Sequence, residues 1–300
     1  MKRSIALSAL VVLSLATNAL AWGPDGHRIV CRIAYQLLDS DAQRAEVDRL
    51  VTGYKLPNHL AGYHSFPESC TFPDRARGNV VDKVHGWERF SKFDNWHFLN
   101  VPRTVHHVED KFCHHDCVTH AVEFHRDELG DMHLDDQKRA EGLIFLGHWL
   151  GDIHQPLHIS YNDDQGGNKI PVDGDFYRPV KFHSVWDSGI ITKSETTPGA
   201  WEAYADKLES GITPAMRAEW VAVATPVEWA DESYQVTTRP EARYCHWEGE
   251  VCCCKHDFHT RTLVQDYQDE FGDDVGKRLQ QAGARLAELL RTRLTSPPQP

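Results

Sequence analysis

Two stretches of the chain repeat one spacing of an imidazole and a carboxylate. His148-Trp149-Leu150-Gly151-Asp152 and His183-Ser184-Val185-Trp186-Asp187 both read His-x3-Asp. Residues four apart share a helix face, so each pair can aim both side chains at one point. Most such pairs are surface ion pairs. The first, however, follows directly on Leu143-Ile144-Phe145-Leu146-Gly147. An unpaired Asp152 buried in that apolar helix would cost on the order of several kcal/mol. A metal ion is one of few partners that removes this cost. Pro156 lacks the backbone donor that would bond the Asp152 carbonyl, so the helix should end or kink there. That bend could swing His158 back toward the same point.

A further nitrogen ligand depends on processing. Met1-Lys2-Arg3 is basic, Ile5 to Leu15 is mostly apolar, and Ala19-Leu20-Ala21 is a small-x-small site. The apolar run is shorter than the roughly 20 residues a bilayer needs. Residues 1–21 therefore read as a secretory signal peptide, which places the mature protein outside the cell or in the periplasm. Cleavage would leave Trp22-Gly23-Pro24-Asp25-Gly26-His27. A free α-amine has a pKa of about 8, so a metal displaces its proton easily. The glycines and Pro24 predict a tight turn that returns His27 beside the amine. A helix start with Asp25 as its cap is compatible with that turn.

These groups need a scaffold. The 300 residues, 41% hydrophobic and 25% charged, can bury a core without depending on disulfides or metals. The formal charge of −12 excludes a generic cationic stripe for nucleic acid, so any phosphate would need a local positive centre. All eight cysteines follow residue 21, which in an exported chain argues for disulfides. Cys113 is expected to pair with Cys117, and Cys245 within the 252–254 cluster.

Helical periodicity runs through Ile29–Leu38, Ala42–Val51, His120–Leu129, Arg139–Gly151, Trp201–Leu208, Met216–Trp229, Leu263–Phe271 and Val275–Leu294. Strand signals are thin. Lys169–Val172 and Phe176–Phe182 predict a hairpin insertion, with Pro171 arguing against a central strand. Tyr54 to His115 has little periodicity, and so long a loop is usually functional. The expected fold is mainly α, one compact helical domain over residues 22–294 with a short β-hairpin insertion and a flexible tail at 295–300. No segment after residue 21 reads as transmembrane.

Taken together, Trp22-Gly-x-x-Gly-His27, Asp74, Trp96-His97-Phe98, His148-x3-Asp152-x5-His158, Gly166-Gly167-Asn168 and His183-x2-Trp186-Asp187 resemble a known family. It is that of the zinc-dependent single-strand-specific nucleases with 3′-nucleotidase activity, relatives of the trinuclear-zinc phospholipases C. The resemblance runs from Trp22 to about Trp229. It implies three Zn2+ ions: one on Asp74, His97, His148 and Asp152; one on the Trp22 amine and carbonyl, His27 and Asp152; one on His158, His183 and Asp187. It implies endonucleolytic hydrolysis of single-stranded RNA and DNA to 5′-phosphate products, with 3′-nucleotidase activity on 3′-mononucleotides. A hydroxide bridging two zincs would attack phosphorus, oriented by Asp74, while the third zinc stabilises the leaving 3′-oxygen. Arg77 would support phosphate charge, Phe98 would stack a base, and Asn100 would hydrogen-bond it. Asn168 and Ser188 fall at substrate-contacting positions. A monomer is expected.

Two other readings fit the same residues. A phospholipase C on the same scaffold would act on phospholipid, although those lipases carry Glu where Asp187 stands. A zinc-storage protein would explain the 19 histidines without open coordination positions. His154, two residues from Asp152, should face elsewhere. His106, His107, His120, His125 and His133 are expected to be solvated. Trp149 and Trp186 are expected to wall the site. His256 and His259, near the cysteine cluster, are not expected to ligate metal.

Overall fold

The computed structural model describes residues 22–56, 62–77, 88–174, 180–195, 197, 199–253, 261–263 and 265–294. The expected signal peptide, the tail, Cys254, His256 and His259 lie outside the described residues.

The architecture is mainly α. In chain order the helices and strands begin with α1 (Pro24–Gln36), α2 (Asp41–Gly53), the single turns α3 (Phe66–Ser69) and α4 (Phe72–Arg75), β1 (Leu99–Val101), α5 (Val118–Gly130) and α6 (Asp136–His154). A 3-10 turn at Pro156–His158 leads to β2 (Ile159–Tyr161), then β3 (Pro171–Gly174), β4 (Val180–Lys181) and α7 (Phe182–Ser184). A π turn at Val185–Gly189 leads to α8 (Ile190–Ser194), α9 (Trp201–Ser210), α10 (Pro214–Ala222) and α11 (Pro226–Thr238). The chain closes with β5 (His246–Glu248), β6 (Val251–Cys253), β7 (Arg261–Leu263), α12 (Gln265–Glu270) and α13 (Gly272–Arg293).

Helix α6 is the axis. Asp135 caps it by accepting the Lys138 N–H at 2.9 Å. Every residue from Arg139 to His154 is buried. A helix buried on all sides must be surrounded by others, and α6 is packed by α1, α2, α5, α11 and α13. Gly147 lets the Cys31–Cys70 disulfide lie across it, since a Cβ there would stand 2.6 Å from Cys70 Sγ. Cys113 pairs with Cys117, and Cys245 with Cys252. No described helix is long and apolar enough to cross a membrane.

Several local expectations change. Met216–Trp229 is two helices, because Thr225 and Glu228 form a capping box and Pro226 opens a new helix. The start of Leu263–Phe271 belongs to strand β7, which ends at Leu263. β3 is the central strand of a three-stranded sheet, antiparallel to β4 and parallel to β7. Pro171 is tolerated there because it is the first residue of β3 and pairs only with Lys181, while pairing to β7 starts at Val172. Asp25 is not a cap: Gly23 holds that position, and Asp25 accepts from Arg28 at 2.7 Å. His125 is not solvated but fully buried, accepting the Trp149 indole N–H at 2.9 Å and stacked on Phe145.

Candidate metal centre

Six separate pieces of chain deliver the ligand-type side chains. The first turn of α1 carries His27, α4 carries Asp74, and the approach to β1 carries His97. His148 and Asp152 stand one turn apart on α6. The 3-10 turn after Pro156 carries His158, as the bend requires, while α7 and the π turn supply His183 and Asp187. All eight side chains are buried. They form three groups whose nitrogen and oxygen atoms lie within 4.8 Å of one another: His27, His148 and Asp152; Asp74, His97 and His148; His158, His183 and Asp187.

Asp152 is the junction. Its Oδ2 lies 3.0 Å from His97 Nδ1 and 3.2 Å from His148 Nε2. Its Oδ1 lies 3.6 Å from His27 Nε2 and 3.4 Å from His158 Nδ1. The His27 and His148 rings stack at 3.7 Å. His183 Nε2 approaches Asp187 Oδ2 at 3.3 Å.

Backbone carbonyls aim the imidazoles. His148 Nδ1–H donates to Cys70 O (2.8 Å), His158 Nδ1–H to His97 O (2.7 Å) and His183 Nδ1–H to Gly166 O (2.6 Å). Each Nε2 is thereby left with a lone pair, the arrangement that metal-ligating histidines adopt. His148 Nε2 then has no proton to offer His97 Nδ1, yet the two nitrogens approach to 3.1 Å. Both ring nitrogens of His27 and Oδ1 of Asp152 are buried without a hydrogen-bond partner. Converging lone pairs and orphaned donors or acceptors fit a divalent cation and fit little else. The parallel pairing of β1 with β2, Leu99 opposite Ile159, holds the segments that carry His97 and His158 side by side.

Burial also decides protonation. It holds His27, His97 and His158 well below the usual imidazole range, helped by the Arg77 charge at His97 and His158 and by crowding of the imidazoles, which disfavours a proton on any one of them. His148 and His183 are lowered to about 4, again chiefly by burial. Burial pushes the Asp152 and Asp187 carboxyls well up. The imidazoles are therefore neutral ligands near pH 7, and their contacts to carboxylates are not ion pairs.

Room for His27 comes from Gly151, where a Cβ would lie 2.6 Å from His27 Nδ1. Gly151→Ala is expected to cost about 1–3 kcal/mol by overpacking and to lower metal content at the His27 group. Thermal denaturation paired with elemental analysis checks this. Unchanged values for both would refute it.

The other expected residues differ in burial and in partners. Trp22 is buried, and the adjacent Gly23 N–H donates to the Asp187 carbonyl at 2.9 Å. Arg77 is half-buried, with one guanidinium nitrogen 3.3 Å from Asp94 O, and its charge acts on all three groups. Phe98 and Asn100 are half-buried and Ser188 is exposed. Asn168 donates to Gln165 O, while its Oδ1 is buried without a hydrogen-bond partner. Trp149 packs edge-on against His97 at 4.7 Å, whereas Trp186 turns into the core and donates to Tyr267. His154 faces away, with Nε2 accepting from Arg285 at 2.8 Å. Sequence reasoning missed Gln155, fully buried and hydrogen-bonded to Asp187. Its position between Asp152 and His158 was the available signal.

The chain belongs to the S1/P1 nuclease family, whose model matches residues 22–295. It is similar to Endonuclease 2 of Arabidopsis thaliana, 28% identical with 93% of this chain and 92% of that protein covered. Similarity to Endonuclease 3 of the same plant is 29%, covering 95% and 92%. Nuclease P1 of Penicillium citrinum is 24% identical, covering 89% and 95%.

Proposed function

We propose that the protein is an exported, zinc-dependent phosphodiesterase that cleaves single-stranded RNA and DNA endonucleolytically to 5′-phosphate products and dephosphorylates 3′-nucleotides. The convergence of eight ligand-type side chains from distant segments carries this reading. Asp74, His97, His148 and Asp152 would hold one zinc. Trp22, His27 and Asp152 would hold a second, and His158, His183 and Asp187 a third. Nitrogen and carboxylate donors without thiolate suit zinc. Bound zinc supplies Lewis acidity that activates water near neutral pH and offsets phosphate charge.

The chain's own groups do the rest. Arg77 offers a fork of donors to a phosphate oxygen. Asp74 orients the attacking oxygen toward phosphorus. Phe98 stacks an unpaired base, Asn100 bonds its edge, and Asn168 and Ser188 stand at substrate-contacting positions. A base still stacked in a duplex could not reach so recessed a site, which supports single-strand preference. Removal of residues 1–21 would convert the Trp22 nitrogen from an amide to an amine able to ligate. The three cysteine pairs also suit an oxidising compartment.

The decisive assay compares single-stranded DNA, duplex DNA and a choline phospholipid before and after chelation. Rapid, chelator-sensitive loss of the single strand is expected. A zinc-replete protein inert toward every nucleic acid overturns the reading, and turnover of the lipid alone transfers it to the phospholipases. Phe98→Ala is expected to raise KM for single strands roughly 5- to 150-fold, the loss of about 1–3 kcal/mol of stacking, with kcat little changed. Steady-state kinetics would show it, and an unaltered KM would remove Phe98 from the substrate site.

A further inference from the structure

Gln155 stands between the end of α6 and the turn that carries His158, and it is fully buried. Its Oε1 accepts the Leu157 N–H at 2.5 Å, and its Nε2 donates to Asp187 Oδ1. These two bonds fix the amide: flipping it would face donor to donor at Leu157 and oxygen to carboxylate at Asp187. Backbone carbonyls aim the other two members of this group, His158 and His183. Asp187 alone in the group takes its side-chain orientation from another side chain. The backbone there follows a π turn, and the Asp187 carbonyl accepts the Gly23 N–H.

We propose that Gln155 is a positioning residue for the third cation: its amide occupies Oδ1 of Asp187 and presents Oδ2, 3.3 Å from His183 Nε2, to the ion, while its oxygen locks the turn that delivers His158. The inference rests on the zinc-centre reading above. Partners of this kind outside the ligand set typically contribute 10- to 100-fold in metal affinity.

Equilibrium dialysis of the processed protein, beginning at Trp22, against zinc, with a graded competing chelator, tests it. Gln155→Glu keeps the acceptor for Leu157 but loses the amide donor, and Gln155→Met loses both, so one folded variant suffices. Ser233→Ala serves as comparison, because Ser233 Oγ donates to the Ile153 carbonyl at the same helix end (2.5 Å) without serving Asp187. The wild type and Ser233→Ala are expected to hold three ions with matching affinity. The Gln155 variants should hold two as tightly and release the third at about tenfold or more higher free zinc. Three equally tight ions in a folded Gln155 variant would overturn the inference alone. Equal weakening in Ser233→Ala would also overturn it, by assigning the effect to a loosened helix end. Fewer than three ions in the wild type would instead overturn the zinc-centre reading, and the inference with it.

Discussion

Replacing Asp152 by alanine is expected to lower hydrolysis of single-stranded DNA by about 10³-fold or more, the upper range for losing one preorganised charge-stabilising group. Among the described residues this carboxylate alone approaches four imidazoles, those of His27, His97, His148 and His158, within 3.6 Å. Its loss should strip ions from two groups at once. The metal-free protein should respond the opposite way. A fully buried carboxylate without an ion costs stability, so Asp152→Asn is expected to leave the chelated protein as stable as wild type or more so. Activity assays combined with melting curves in chelator would show inactivity without destabilisation. Near-wild-type turnover by Asp152→Ala would remove this residue from the chemistry.

Chelation itself should have a large effect with a defined pH trend. The buried histidines titrate below their unfolded value of about 6.5. Below that pH the unfolded chain binds more protons, so the metal-free fold loses stability as pH falls from about 6.5 toward about 4, where His148 and His183 titrate. Asp152 and Asp187 are raised, so their contribution is lost as pH rises from about 4 through their folded values. The metal-free fold is therefore penalised from both directions. A cation bound to neutral imidazoles and ionised carboxylates relieves both penalties, and protons compete with it at low pH. One site at a thousandfold excess of free zinc over Kd contributes about 4 kcal/mol, or about 8–16 °C at roughly 2–4 °C per kcal/mol. Chelator should lower the melting temperature by at least that much near about pH 7.5, and by clearly less near about pH 5. A pH-independent shift would contradict this scheme.

Some of the centre was legible because helix geometry turns spacing into proximity. His148 and Asp152 meet on α6 as i and i+4 residues must. Pro156 marks where the helix stops and His158 turns inward. Asp187 was legible by the same spacing, although a π turn rather than an α-helix carries it. Asp74 and His97 were visible only through resemblance, because they sit on a one-turn helix and beside a three-residue strand, too short for periodicity. The carbonyls of Cys70, His97 and Gly166 have no residue-type signature at all. Periodicity also misled: it ran unbroken across Pro226, and it could not separate buried His125 from its solvated neighbours. Gln155 was overlooked because a lone amide announces nothing until its acceptor is known.

The Cys31–Cys70 cross-link has a consequence for the denatured ensemble. Cys31 follows His27 by one helical turn, and Cys70 precedes Asp74 by four residues. Closing a loop of 39 residues removes roughly 4 kcal/mol of chain entropy from the unstructured state. The tether thus keeps an imidazole and a carboxylate at high effective concentration before α6 forms. An oxidised, unfolded chain would already chelate weakly, which blunts the stabilisation cations provide at equilibrium but lets them help gather the two arms during refolding.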